Sequence, residues 1–316
     1  MHFAVALAVA PAVLAIGATN FGCRDPFPPS PDPKPSTTLQ EIAPAASTVS
    51  AIASSEPLPS ASSVTSGDAG ASASASASAD AASPCPDGMA FVEGEYCPLV
   101  EQVCVEHKGD ADKNSEQAIC LRYQQPSTCV APKRVHMRYC MDRYEYPGKA
   151  GELPRTLVSF TEAAQLCGAQ GKRLCSESEF NFACEGEEMR PYATGFDRDA
   201  AKCNFDKPFR SRPASEMKSY AECMANSRCK AEFERVDQRV PIGSNAQCVS
   251  PFGVFDMNGN ANEWTSLRYK PKPHRSAVKG GWWGPVRNRC RPIVTSHDEN
   301  YAGYEVGFRC CTRPER

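Results

Sequence analysis

Residues Asp256–Trp264 read DMNGNANEW and concentrate one aspartate, three asparagines, one glutamate and one glycine in nine positions. Oxygen-bearing side chains at alternating positions suit a calcium ion, and Asp256, Asn258 and Asn260 have the spacing that opens an EF-hand loop. The stretch is not an EF-hand, because its glycine is at the fourth place and Leu267 stands at the twelfth, where a glutamate is needed. An asparagine-rich turn whose side chains bond their own backbone is the alternative.

Two short helices are predicted upstream of this stretch. In SFTEAAQLCGAQGKR, Ser159 and Glu162 have the spacing of a capping box, and a glycine follows the apolar positions as a stop signal. In SESEFNFACEG, Ser176 and Glu179 repeat the same pattern. The apolar face of each helix carries one cysteine, which we expect to be buried.

Regular periodicity is weaker elsewhere. The segment Ser211–Arg239 is predicted to be helical and charged, with Cys223 and Cys229 bonded to each other or to neighbours. Residues 85–133 form a cysteine-rich, loop-rich segment that we expect to be stapled by disulfides. Short strands are predicted at 89–92 and 135–141. The pattern leaves open whether the cysteine-rich segment folds alone or packs onto the rest.

Charge and cysteine content exclude several classes of protein. The net charge is -2 and the pI is about 6.3, so no general basic field exists to attract nucleic acid. Of the 17 cysteines, all but Cys23 lie between Cys85 and Cys311, and none forms a paired C-x2-C zinc knuckle. Disulfides formed in an oxidising compartment are therefore the preferred interpretation.

The N-terminus predicts export. Residues 1–22 contain an apolar run over Phe3–Ile16, which is short for a membrane span but typical of a signal peptide. Gly22 and Cys23 resemble the end of a bacterial lipobox, in which the cysteine is lipidated, and ordinary cleavage nearby is the alternative. Residues 23–84 are rich in Pro, Ser and Ala and are predicted to be a disordered tether. The expected location is the outer membrane or cell surface as a lipoprotein, or the periplasm.

Common catalytic templates are absent from the sequence. There is no G-x-S-x-G, H-E-x-x-H, Walker loop or G-x-G-x-x-G after a strand, and the five histidines form no metal-ligand pair at i, i+4. Arg287, Arg289 and Arg291 alternate as they would on one face of a strand, which suits an anion site. Salt bridges to acidic side chains are the simpler interpretation of these arginines.

Seven short motifs occur in an order that resembles the formylglycine-generating enzyme (sulfatase-modifying factor) family. They are VSFTEAAQLC, GKRL, EFNFACEG, FGVFDMNGNANEW, KGG, RC and GFRC, and the resemblance covers about Arg134–Cys311. The resemblance implies an α+β domain over residues 134–316, with a compact, disulfide-rich fold that is related to C-type lectins and has little regular secondary structure.

The resemblance also implies particular bonds and ligands. Two structural disulfides would join Cys167 to Cys310 and Cys184 to Cys290. Structural calcium would be bound at the family's ligand-bearing positions, which correspond here to Asp256, Gly259, Asn260 and Glu263. A second calcium site would use Asn204 and the carbonyl of Phe205.

The family's catalytic branch carries two copper-binding cysteines in the segment that begins after GGS. Here that segment is GGWWGPVRNRC, Gly280–Cys290, in which Trp282 replaces the serine and no cysteine precedes Cys290. Soft thiolates are what copper(I) chemistry needs, so copper is not expected at this position. The histidine cluster of the family's iron-dependent sulfoxide synthases is absent as well.

Two hypotheses about function follow. The first is a non-catalytic binding or structural module of the cell envelope, whose surface at Trp282, Trp283, Arg287 and Arg289 contacts a protein, peptide or glycan. Under this hypothesis, burial of both tryptophans would make them core residues instead. The second is an oxidase of protein or small-molecule thiols that uses other cysteines, such as Cys175 or one of the adjacent pair Cys310 and Cys311.

Overall fold

The computed structural model describes residues 83–109, 119–211, 217, 219–286 and 288–315, all within one compact unit, Ser74–Arg316. The predicted signal peptide, Cys23, nearly all of the predicted tether and Arg287 lie outside the described residues. The helices of the described residues are α1 (Phe160–Ala169), α2 (Glu177–Glu185), α3 (Tyr220–Ala225) and α4 (Ser227–Val236). The strands are β1 (Met89–Tyr96), β2 (Val100–Glu101), β3 (Cys104–His107), β4 (Cys120–Tyr123), β5 (Thr128–Cys129), β6 (Val135–Asp142), β7 (Arg173–Leu174), β8 (Asn262–Ser266), β9 (Ser276–Lys279), β10 (Val306–Phe308) and β11 (Cys310–Thr312).

The largest sheet joins the two ends of the described chain in the order β1-β6-β11-β7. Strand β1 pairs antiparallel with β6, in register from Met89 opposite Asp142 to Tyr96 opposite Val135. The cysteine-rich segment therefore packs onto the main domain through its first strand, which answers the question that the sequence left open. Both predicted strands exist, and each is longer than its pattern indicated.

A second sheet, β10-β8-β9, extends from the asparagine-rich stretch. Strand β8 pairs parallel with β10 and antiparallel with β9. The side chain of Trp264, in β8, is fully buried and donates to the carbonyl of Val158 at 2.8 Å. Strand β9 leads directly into the glycine pair at Gly280 and Gly281, so this sheet positions the loop Gly280–Cys290.

The helix starts follow the capping signals in the sequence. Ser176 and Glu179 form a complete capping box at α2. At α1 only half of the predicted box is present: Ser159 accepts from the backbone N–H of Glu162, whereas the carboxylate of Glu162 binds Arg155 at 2.7 Å. The capping box at α1 is therefore corrected, because an ion pair with a neighbouring arginine takes the place of a bond to the backbone.

The predicted helical segment Ser211–Arg239 contains two helices, α3 and α4. Asn226 separates them with extended backbone angles, and it ends α3 and caps α4 by accepting from the N–H of Cys229. Of the two pairings that the sequence left open, Cys223 bonds Cys229, which ties the two helices together.

Eight disulfides use every cysteine between Cys85 and Cys311. The pairs are Cys85–Cys140, Cys97–Cys129, Cys104–Cys120, Cys167–Cys310, Cys175–Cys311, Cys184–Cys290, Cys203–Cys248 and Cys223–Cys229. The adjacent cysteines of β11 point to opposite faces, as neighbours on a strand must, so Cys310 reaches α1 and Cys311 reaches the start of α2. The pairs of Cys167 and Cys184 are the two that the family resemblance implied.

The expected fold class is confirmed: short helices and strands are mixed, long loops connect them, and disulfides hold the layers together. Eight disulfides are typical of proteins from an oxidising compartment rather than the cytoplasm. None of the helices in the described part of the chain has the length and apolarity that a membrane crossing requires.

Candidate functional site

The first residues of the loop Gly280–Cys290 contact Asn288, near its end. Gly281 has a φ of +82°, and a Cβ atom there would lie 2.8 Å from the Cα atom of Asn288. The side-chain amide of Asn288 donates to the carbonyl of Trp282 at 2.6 Å, and Cys290 ends the loop in its disulfide with Cys184. The glycine is required here by both its backbone conformation and the close approach of Asn288.

Replacing Gly281 with alanine is expected to lower the free energy of unfolding by more than about 1 kcal/mol, since the new Cβ is strained in conformation and meets backbone atoms. The matched control is Gly168→Ala in α1, where a Cβ meets no atom within 4 Å. There alanine should be neutral or stabilise by up to about 1 kcal/mol. Urea denaturation measures both variants, and equal midpoints would contradict the role of Gly281.

The two tryptophans of this loop have different environments. Trp283 is 0% exposed and packs among residues of the α3–α4 segment, so its assignment to a ligand surface is wrong: it is a core side chain. Trp282 is half-buried and lies edge-on to the exposed ring of Phe209, with 6.2 Å between ring centroids. Its indole also covers Gly284, where a Cβ would come within 2.8 Å of the ring. Trp282 is therefore the tryptophan that a ligand can reach.

A cavity of about 280 Å³ lies beside the glycine pair. Its wall combines polar and apolar surface, with the half-buried Asn262 at the start of β8, Lys279 and two glycines beside an aromatic ring, prolines and valines. The lining residues are Asn262, Val278, Lys279, Gly280, Gly281, Trp282, Pro285, Val286, Pro292 and Val294. Such a mixed wall suits a ligand group that has both an apolar face and polar atoms.

A buried arginine supports this loop from beneath. The guanidinium of Arg198 binds the carboxylate of Asp206 at 2.8 and 3.0 Å, and it also donates to the carbonyl of Val286 and the side chain of Asn288. Burial acts to raise the pKa of Asp206, but the bonded guanidinium outweighs it and the pKa is lowered. Arg198 therefore stays paired at neutral pH and holds the cavity wall at Val286 in place.

Lys279 is buried at the end of β9. Its ammonium donates to the carbonyl of Arg291 at 2.7 Å. Burial lowers the pKa of Lys279 to about 7, with the charge of Arg291 acting in the same direction. The charges of Glu177 and Glu185 act in the opposite direction.

The two described arginines of the predicted alternating set, Arg289 and Arg291, bind different partners and do not form one anion site. Arg289 is hydrogen-bonded to the hydroxyl of Tyr123, and its guanidinium lies 5.3 Å from that ring centroid. Arg291 forms an ion pair with Glu185 and donates to the carbonyl of Cys97. Both arginines thus anchor the cysteine-rich segment to the main domain, and for Arg291 the salt-bridge interpretation is confirmed.

The asparagine-rich stretch ends in a cluster of buried charged groups. Glu263 and Arg309 form a fully buried ion pair, with both carboxylate oxygens bound at 2.6 and 2.7 Å. Glu145 lies in the same cluster, where it accepts from the side chain of Asn260 and from the backbone N–H of Ala261. Burial raises the pKa of Glu145 well above its usual range, and the charges of Asp256 and Glu263 add to the effect.

Asp256 completes this cluster. One of its oxygens accepts from the N–H of Gly243 at 3.1 Å, whereas its Oδ1 atom is buried without a hydrogen-bond partner. Burial raises the pKa of Asp256 to about 6, against the hydrogen bond from Gly243, which lowers it. Three buried carboxylates, those of Glu145, Asp256 and Glu263, thus surround the single guanidinium of Arg309.

The two predicted calcium sites lie next to each other. The carbonyl of Asn204 accepts from the N–H of Asn260 at 2.8 Å, and a Cβ on Gly259 would lie 2.4 Å from that carbonyl oxygen. The side-chain oxygen of Asn260 is already bonded to Asn204 and to the N–H of Val240, while the Oδ1 atom of Asn204 is buried without a partner. The ring of Phe205 packs against Arg198 at 4.6 Å.

Cation binding fits part of this arrangement. The excess of carboxylates over guanidinium groups and the two unpartnered oxygens of Asp256 and Asn204 favour a cation, whereas Glu263 has committed both oxygens to Arg309. No three His, Cys, Asp or Glu side chains of the described residues are grouped as metal ligands, so any cation would need amide and main-chain oxygens as well.

The cysteines proposed for an alternative oxidase are not available as thiols. Cys311 was expected to be left over by the structural bridge, but it is bonded to Cys175, and both are 0% exposed. Cys310 is bonded to Cys167. The hypothesis is corrected here, because the adjacent cysteines serve two bridges on opposite faces of β11.

Several site residues carried no recognisable signal in the sequence. Arg198 and Glu145 come from segments far from the loops that they support, and nothing in their local sequence indicates this. Arg309 was visible only as part of the GFRC motif, and Asn262 only as a further asparagine of the asparagine-rich stretch. Each of these residues acquires its role only through contacts with residues that are distant in the sequence.

Comparison with known proteins gives one family. A family model described as a sulfatase-modifying factor enzyme 1-like domain matches residues 100–314. The chain is similar to the uncharacterized protein YfmG of Bacillus subtilis (strain 168), with 27% identity over 173 residues, which cover 50% of this chain and 35% of that protein. It is also similar to the inactive C-alpha-formylglycine-generating enzyme 2 of Mus musculus, with 25% identity over 175 residues, covering 52% and 51%. The aligned part thus spans about half or less of these relatives.

The chain is also similar to solved structures. One is CarF, with a TM-score of 0.45 and 16% identity over 73% of this chain and 99% of that one. Another is PvdO from Pseudomonas aeruginosa, with a TM-score of 0.42 and 16% identity over 73% of this chain and 95% of that one.

Proposed function

This chain belongs to the family of sulfatase-modifying factor enzyme 1-like domains, and on that premise we propose that it is a non-catalytic member whose cavity beside Gly280 and Gly281 binds a ligand of the cell envelope. The ligand is an envelope protein, peptide or glycan that inserts one group with an apolar face and polar atoms. Nucleic acid is not proposed as a partner, because the net charge of -2 gives no general basic field.

The observation that carries the proposal is the chemistry of the cavity wall. Trp282 and two prolines line the position where the catalytic branch of the family carries thiols, and each cysteine in the described part of the chain is bonded in a disulfide. A partly exposed aromatic ring beside a cavity with both polar and apolar walls is a typical binding surface. The loop is also held rigid by Arg198 and Asn288, so little ordering entropy is lost on binding.

We also propose that the protein is exported and anchored through a lipid at Cys23, so that the domain works at the outer membrane or cell surface, or otherwise in the periplasm. Eight disulfides in the folded part support an oxidising compartment. The apolar run Phe3–Ile16 and the Gly22-Cys23 pair support a signal peptide of the lipoprotein type.

The cavity is tested by filling it. Replacing Val286 with phenylalanine adds a ring to the wall, and it should reduce binding at least tenfold on peptide and glycan arrays probed with the full chain from an oxidising host. The matched control is Val105→Phe, at a valine that is 53% exposed and does not line the cavity. Equal binding by both variants would contradict the proposal, as would uptake of one copper(I) ion per chain with oxidation of a thiol peptide.

Calcium is proposed as a structural cofactor at the two neighbouring predicted sites, with Asp256 as a side-chain ligand in the first, beside the buried carboxylate cluster, and Asn204 in the second. When bound, it supplies positive charge that offsets the excess of buried carboxylates. The unpartnered oxygens of both residues support this assignment.

Calcium at about 100 times its dissociation constant should stabilise the chain by about 2.7 kcal/mol relative to a chelated sample. Asp256→Asn should remove most of that gain, because one ligand charge is lost. Thermal unfolding with and without chelator measures both, and Asp87→Asn, at an exposed position, is the control. A wild-type melting temperature that is independent of calcium would contradict the assignment.

A further inference from the structure

The loop that joins β8 to β9 concentrates basic side chains. Residues 268–275 read RYKPKPHR and hold five basic side chains in eight positions, in a chain whose net charge is negative. The loop is closed at its base, where the N–H of Leu267 donates to the carbonyl of Arg275 at 2.7 Å. Two prolines and two further turn hydrogen bonds restrict its shape, so its charges are held in place.

The two arginines of this loop are already paired. Arg268 lies 3.4 Å from the carboxylate of Glu179, and Arg275 lies 2.9 Å from that of Glu299. The remaining basic residues, Lys270, Lys272 and His274, are exposed, and none of them has an ion-pair partner among the described residues. The side chains of Lys270 and His274 are therefore available to a ligand, whereas Lys272 also acts electrostatically on the carboxylate of Glu299.

An open cleft of about 570 Å³ lies against these residues. Its lining residues are Leu267, Tyr269, Lys270, Pro271, His274 and Thr295. Tyr269 is 72% exposed, and the ammonium of Lys270 lies 5.6 Å from its ring centroid, so an aromatic face and a cation stand side by side. No acidic residue lines the cleft.

We propose that this cleft binds an acidic saccharide, with its ring stacked on Tyr269 and its carboxylate, sulfate or phosphate group bound by Lys270, His274 and Thr295. An oxyanion matches ammonium, imidazole and hydroxyl donors. The apolar face of a sugar ring matches the tyrosine ring and its neighbours Leu267 and Pro271. The volume lies within the usual range of ligand pockets.

This site is separate from the cavity beside Gly280 and Gly281. The two sets of lining residues share no member. The proposal therefore does not depend on the function proposed for that cavity.

The probe for the test is a short alginate oligosaccharide, which carries a carboxylate on every ring, with maltotriose as the neutral counterpart. Titration of the full chain should show binding of the alginate probe alone, and binding that weakens as salt is raised from 0.05 to about 0.5 M. The double variant Lys270→Gln/His274→Gln should lose at least about tenfold in affinity. Tyr269→Ala should lose about fivefold, because the stacking face is removed.

Two controls isolate the cleft. Lys230→Gln removes an exposed lysine of α4 and should leave the affinity unchanged. Val286→Phe fills the other cavity and should also leave it unchanged, which separates failure of this proposal from failure of the first.

Three results would overturn the proposal. They are equal binding of alginate by the wild type and the double variant, displacement of alginate by inorganic phosphate with no effect of Tyr269→Ala, and preferential binding to phosphatidylglycerol vesicles. The second would indicate a simple anion site, and the third a membrane-facing loop.

Discussion

Replacing Arg309 with methionine is expected to lower the free energy of unfolding by about 3–5 kcal/mol, the largest effect of any single substitution considered. Arg309 binds both oxygens of Glu263 and also donates to the carbonyl of Phe255 at 2.9 Å. Without the guanidinium, the carboxylate of Glu263 loses both of its bonds to Arg309 and remains buried beside Glu145 and Asp256. Removing one partner of a buried pair costs far more than the pair itself contributes.

Urea denaturation measures this prediction, and two further variants isolate its cause. Arg235→Met removes an exposed arginine that pairs with Glu232 on the same helix, and should leave the midpoint unchanged. Arg309→Met combined with Glu263→Gln should recover part of the loss, because that carboxylate is no longer charged. A single Arg309 variant that unfolds like the Arg235 control would show that the buried pair does not hold the fold.

Removing the disulfide between Cys167 and Cys310 by a double alanine substitution should cost at least about 2.5 kcal/mol. The bond spans 143 positions, but the neighbouring bridge between Cys175 and Cys311 stays closed, so the loop that it closes in the unfolded chain has only about nine residues. The bridge ties α1 to β11, and β11 lies between β6 and β7 in the main sheet. Its loss therefore enlarges the unfolded ensemble and releases a helix from the sheet at the same time.

The internal control is the disulfide between Cys223 and Cys229, which spans six residues. The same loop-entropy relation predicts a loss of roughly 2 kcal/mol for its removal. Thermal and urea unfolding of both double-alanine variants under oxidising conditions compare the two. A loss for the Cys167–Cys310 variant that falls below that of the Cys223–Cys229 control would contradict the role of the first bridge in holding α1 on the sheet.

Local features were predicted well because they depend on neighbouring residues. Ser176 and Glu179 mark the start of α2 through bonds that span three positions, and the structure contains both. The α1 box was only half right, because Arg155, four residues before Ser159, competes for the carboxylate of Glu162. Capping patterns indicate where a helix begins, but they do not indicate which side chain outside the helix binds the carboxylate of the capping-box glutamate.

The candidate site depended on information that local patterns do not contain. The resemblance located the loop Gly280–Cys290 and the stretch Asp256–Trp264, for which calcium is proposed, yet the two tryptophans of that loop could not be told apart by spacing. Trp283 is a core residue because it packs against side chains of α3 and α4. Trp282 stays partly exposed, and its ring lies over Gly284, where any larger side chain would collide with it. The burial of Trp283 and the partial exposure of Trp282 both depend on contacts with segments that are distant in the sequence.

The sequence by itself determined the family, the fold class, the cysteine chemistry and the helix starts, because motif order, composition and capping are properties of the chain and its near neighbours. Tertiary structure alone decided which charges are buried together and which cavities are open. Glu145 meets Ala261 across 116 positions, and Arg198 meets Asn288 across 90. Such pairs form only when packing removes water from both partners, and the energy of that desolvation is set by the folded environment rather than by either residue.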